Sequence, residues 1–106
     1  MSSYLIIEAR DPWDSADVAG AQGFATQLAD RGSDVTVYLV QNGVMRARAG
    51  SSAAADLTAL SEKVTVLADD FSLRERGISN LADGVSESNV DVLVDMLADG
   101  RKVIWH

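Results

Sequence analysis

Cysteine is absent from the 106 residues. That excludes disulfide frameworks, thiolate zinc sites, iron–sulfur clusters and any thiol or persulfide nucleophile on this chain. Histidine occurs once, as His106, so a Ser-His-Asp triad would rest on that single position and is set aside. Cations are scarce: nine Lys and Arg stand against 16 Asp and Glu, a formal net charge of −7 and a pI near 4.4. No basic patch is left to neutralise a phosphate backbone, so nucleic acid is not an expected partner. No apolar run approaches the roughly 20 residues that span a bilayer. Met1 leads through Ser2 and Ser3 into a strand-like run without a basic n-region, so the expectation is an unprocessed cytoplasmic protein with no membrane contact. GxGxxG, P-loop, HExxH and GxSxG motifs are all missing.

What remains is 47% hydrophobic, enough for one modest core in a single domain, 1–106, with a radius of gyration of about 13 Å. Tyr4 to Ile7 is an apolar run without polar alternation, as in a strand covered on both faces. After Pro12, Ser15 is placed to cap a helix with Val18, Ala21, Ala25 and Leu28 on one stripe and Arg31-Gly32 as its stop. Gly20 and Gly23 in that helix are expected at a close approach to the sheet. Val35 to Val40 is the second strand, ended by Gln41-Asn42-Gly43, and Val44 to Ala49 reads as a short helical or irregular segment. Ser51-Ser52 offers a cap for a helix over 53–62, with Leu57 and Leu60 inward.

Val64 to Leu67 is the third strand, followed by a helix of barely two turns from Phe71 to Arg76, with Gly77 as stop. A short strand is expected near Val85. Ser88 to Asp91 matches an acidic capping box before a helix with Val90, Leu93, Val94 and Leu97 on one face, and Lys102 to Trp105 is the last strand. Strands alternating with helices predict a parallel α/β sheet covered on both faces.

In such a sheet ligands bind beyond the carboxyl ends of the strands. The positions there are Arg10, Asp11, Trp13, Asp14, Asn42, Asp69, Asp70 and Ser72. The Asp11, Asp14 and Asp17 series together with Asp69-Asp70 offers hard oxygen ligands for a divalent ion. Helix capping and dipole complementation explain the same residues more simply. No metal or cofactor is therefore expected. Arg74 and Arg76 with Gly77-Ile78 form the most specific local pattern, though two cations in a last turn also suit the helix dipole. An aspartate ending the third strand invites comparison with receiver domains, but the first strand lacks their acidic pair and Lys102 lacks a following proline.

With its order of elements, the segment Val64 to Ile78 (V-T-V-L-A-D-D-F-S-L-R-E-R-G-I), Asn42-Gly43-Val44 and the final Lys102-Val103-Ile104-Trp105, the chain resembles the DsrE/DsrF/DsrH family of sulfur-relay proteins, nearest its DsrH-like branch. The resemblance implies a three-layer α/β/α fold on a five-stranded, mostly parallel sheet. It also implies assembly as a trimer, a hexamer or a hetero-oligomer with cysteine-bearing paralogues. The family's persulfide cysteines fall on Asp69 and Ser72. Neither a carboxylate nor an unactivated hydroxyl supplies a polarizable nucleophile. A non-catalytic structural or regulatory subunit is thus the first expectation, with Arg10, Asp11, Asn42, Asp69, Asp70, Ser72, Arg74 and Arg76 as pocket or partner-binding residues. The alternatives are a small-anion- or metal-binding enzyme using Asp69 or Asp70, and a receiver-like phosphoacceptor.

Overall fold

The computed structural model describes residues 2–13 and 17–106, so the expected Ser15 cap and Asp14 lie outside the described residues. Its five strands are β1 (Ser3–Glu8), β2 (Asp34–Leu39), β3 (Thr65–Asp69), β4 (Val85–Ser88) and β5 (Lys102–Trp105); its helices are α1 (Asp17–Asp30), α2 (Ala54–Ser61), α3 (Asp70–Glu75) and α4 (Val90–Ala98). A 3₁₀ segment, Gln41–Ala47, occupies the stretch after Asn42-Gly43 that carries no alternating apolar face. All four strand pairings are parallel, in the order β4-β3-β2-β1-β5. Receiver-type doubly wound sheets run 2-1-3-4-5, so the phosphoacceptor comparison has no architectural basis here.

Register explains the division of the core. Ile104, Ile6, Val37, Val66 and Val85 form one row across the sheet. All belong to the main core with Ala25 of α1, Leu57 and Leu60 of α2, Leu73 of α3, and Val44 and Ala47 of the 3₁₀ segment. The neighbouring row, Trp105, Ile7, Tyr38 and Leu67, points to the opposite face. There a smaller cluster joins Leu5, Ile7, Tyr38 and Met96, with Val40, Leu67 and Leu93 packed against it, and among the described residues α4 is the one helix that contributes to it.

Several local expectations are corrected. Gly20 and Gly23 are exposed, and a Cβ at either would meet nothing within 4 Å, so neither marks a close approach. The close approach is at Gly43, where a Cβ would overlap the Glu8 carbonyl oxygen. No side chain caps α2: Ala53 is its N-cap, Ser51 Oγ instead donates to the Arg46 carbonyl, and Ser52 Oγ accepts from Trp13 Nε1 at 3.3 Å. α4 is capped by Asn89, which accepts from the Val92 N–H, and not by Ser88. Of its expected stripe only Leu93 turns inward, joined by Met96; Val90, Val94 and Leu97 are exposed.

Candidate functional site

The turn from β3 into α3 is organised by Asp69. Its backbone is still extended (φ −66°, ψ 125°), the usual N-cap conformation, and its carboxylate collects three donors. Oδ2 accepts from the Ser72 N–H at 3.0 Å and from Ser72 Oγ at 2.8 Å, and Oδ1 accepts from the Tyr38 hydroxyl at 3.1 Å. Tyr38 reaches it because it pairs with Leu67 across the sheet, which puts Asp69 two residues on along the same face. Burial, the Asp69 charge and the hydrogen bond together push the Tyr38 phenol well above its ordinary pKa. Ser72 Oγ accepts in turn from the Gln41 N–H at 2.9 Å. Gln41 is the one described non-glycine residue with positive φ (50°), a conformation that needs such an anchor.

The cations beside this turn are occupied. Arg76 donates through Nε and Nη2 to Asn42 Oδ1 at 3.2 and 3.0 Å, and through Nη1 to the Ser72 carbonyl at 3.2 Å, closing the end of α3. Arg74 pairs with Asp70 at 3.5 Å on the helix surface. These side chains line a cleft of about 800 Å³ that takes in Asn42, Asp69, Asp70, Ser72, Arg74 and Arg76. Its other wall is apolar, with Phe71, Val90, Leu93 and Trp105. Six of the eight positions picked from the sequence thus share one cleft.

Arg10 and Asp11 lie elsewhere. Arg10 is exposed and 3.6 Å from Asp17, and Asp11 is buried after β1 with a carboxylate oxygen accepting from the Trp13 N–H. Among the described residues no group of three or more histidines and carboxylates is clustered as metal ligands. The cleft offers a hydrogen-bonded polar floor and an apolar rim.

A second polar cluster was not anticipated. Glu8, 1% exposed, ends β1 opposite His106, which continues the β5 ladder: its N–H donates to the Ile7 carbonyl and its carbonyl accepts from the Ala9 N–H. His106 Nδ1 stands 2.7 and 2.9 Å from the two Glu8 oxygens, within hydrogen-bond distance of both. Arg46, also buried, donates from Nη1 to Gln22 Oε1 at 3.1 Å, and burial lowers its pKa while the charges of Glu8 and Asp56 act to raise it. The sequence signal for this cluster was a carboxylate closing the apolar run of β1.

A family model described as DsrH-like protein matches residues 21–103, well over half of the chain. No curated protein matches the sequence. Among solved structures, the ychN protein from E. coli superposes with a TM-score of 0.91 at 20% identity, covering 100% of both chains. MTH1491 from Methanobacterium thermoautotrophicum, a protein of unknown function, gives 0.81 at 23% identity over 99% of this chain and 98% of that one. BT1422 from Bacteroides thetaiotaomicron, also of unknown function, gives 0.83 at 15% identity over 99% and 95%. At these identities the likeness establishes the shared fold.

Proposed function

The chain belongs to the DsrH-like family, and on that premise we propose that it is a non-catalytic subunit of an oligomeric assembly related to sulfur relay, with a structural or regulatory role. One observation carries the reading. At the loop where the resemblance lays the persulfide cysteines, Asp69 spends both carboxylate oxygens on Ser72 and Tyr38, and Ser72 is buried between Asp69 and Gln41. The loop is used to hold its own shape. A persulfide needs a polarizable thiolate and a low-pKa leaving group, and neither residue offers one.

The same engagement argues against an enzyme or anion receptor here, since Arg76 is committed to Asn42 and Ser72, and Arg74 to Asp70. The apolar side of the cleft supports the subunit reading. Trp105 is 67% exposed and Phe71 59% exposed, and surface aromatics of this size are concentrated at protein interfaces. We assign the protein to the cytoplasm on the same reading, in keeping with the finding that no described helix is long and apolar enough to cross a membrane.

Two measurements test the proposal. Native mass spectrometry of the tagged chain, isolated gently from its own cells, is expected to find it in an assembly of two or more protein subunits; a single-chain mass throughout would overturn the subunit reading. Incubation of the purified chain with a sulfide donor is expected to leave its intact mass unchanged, whereas a covalent sulfur adduct would overturn the non-catalytic one.

A further inference from the structure

We propose that the face formed by α4 and β5 docks a protein partner bearing an apolar strip flanked by Lys or Arg, and that it does not pair two-fold with the same face of a second copy of this chain. This deepens the subunit reading and rests on it. Val90, Val94 and Leu97 follow one another at helical spacing and form a single stripe on α4. They are 60%, 54% and 45% exposed. Val90 shares the cleft with Trp105, so the stripe continues onto the edge strand, where Trp105 is 67% and Val103 44% exposed. Apolar side chains exposed side by side along a helix and an adjoining strand mark an interaction surface.

The charges beside that strip decide what fits it. Asp91 and Asp95 stand one position on from Val90 and Val94, four residues apart, and form an exposed acidic ridge along the strip. Neither has an ion-pair partner among the described residues. α4 carries no Lys or Arg. The cations on the flanking elements are engaged elsewhere: Arg101 on Asp99, Asp34 and Thr36, Lys102 over the Tyr4 ring at 5.5 Å, Arg74 on Asp70, and Arg76 on Asn42 and the Ser72 carbonyl.

A self-complementary interface sets the same patch of both copies together. On this face, that either brings the two acidic ridges against each other or buries them against apolar strip with no counter-charge, and both are costly. The overall charge of −7 on each copy adds to the repulsion. A cationic flank turns the same ridge into an attractive rim around the apolar contact and steers its approach.

The test uses the full chain in a Trp13→Phe background, so that Trp105 is the single tryptophan and can be excited selectively over the two tyrosines. Two synthetic amphipathic helical peptides share one apolar face and differ only in flanking Lys or Glu. The Lys peptide is expected to blue-shift Trp105 emission saturably, to bind at least roughly tenfold tighter than the Glu peptide at low salt, and to weaken as salt rises. Asp91→Asn with Asp95→Asn should abolish the preference, and Asp91→Lys with Asp95→Lys should reverse it; the Asn pair keeps the test decisive if the Lys pair misfolds. Equal binding of the two peptides, or no binding of either, overturns the proposal. So does a two-fold homodimer of the chain that Val94→Asp dissociates, an outcome under which the subunit reading itself would stand. A single-chain mass in the native assembly would defeat that reading separately.

Discussion

Asp69 shows how one side chain can serve as cap, hydrogen-bond hub and marker of a site at once. Replacing it with Ala strands the buried Tyr38 hydroxyl and the Ser72 N–H together. The loss of a cap and of a partner for a buried donor should cost about 2–4 kcal/mol, measured as a lower urea midpoint at unchanged slope. Tyr38 makes a second, independent prediction. Its phenol is held above the ordinary range, so the folded chain keeps a proton that the unfolded chain releases first. Stability should therefore be fully present below pH of about 10 and fall as pH rises above it. In a Tyr4→Phe variant, absorbance at 295 nm should show no phenol ionisation ahead of unfolding, and Tyr38→Phe should flatten the alkaline fall; a Tyr38 titration in the folded chain near pH 10 would contradict this. The cap was legible in the sequence because Asp69 and Ser72 are three residues apart at the end of a β-branched run. The Tyr38 contact spans 31 residues and the Glu8–His106 contact 98, so each depends on strand register that no local spacing reveals.

Among the elements, α1 and the 3₁₀ segment use glycine in opposite ways. Gly20 and Gly23 sit in the exposed part of α1 with open space where a Cβ would be, so each contributes only backbone entropy to the unfolded state. Ala at either should stabilise by about 0.5–1 kcal/mol, read as a higher thermal midpoint in each single variant. Gly43→Ala should do the reverse, lowering the melting temperature sharply, because its Cβ would meet the backbone of Glu8 at the junction of β1 and the 3₁₀ segment. Strand positions and the inward residues of α2 followed from β-branched runs and helical spacing. α4 did not follow so simply. Its pattern fixes an apolar stripe, but periodicity states only that a stripe seeks cover and is silent on whether the cover is the chain's own sheet. Here Leu93 and Met96 take the sheet, and Val90, Val94 and Leu97 are left to something else.

At the scale of the whole molecule, the sheet is covered unequally. The radius of gyration is 12.6 Å, close to what 106 residues should reach, and the face under α1, α2 and the 3₁₀ segment holds most of the core. The other face depends on α4, which is anchored by buried Met96 and half-buried Leu93. Full burial of one such side chain is worth about 1.5–3 kcal/mol, so α4 is held by far less than the central strands it covers. Local opening should follow that difference. In the isolated chain, amide hydrogen exchange is expected to be slowest in β1, β2 and β3, which have strands on both sides, and much faster in α4, through openings that leave the sheet intact. Occupation of the α4–β5 face adds contacts made only when α4 is docked, so a bound partner should slow exchange in α4 and β5 selectively and leave β3 and β4 almost unchanged. If α4 exchanges as slowly as β2 in the isolated chain, the helix is held by its own sheet and the exposed stripe is no measure of a missing partner.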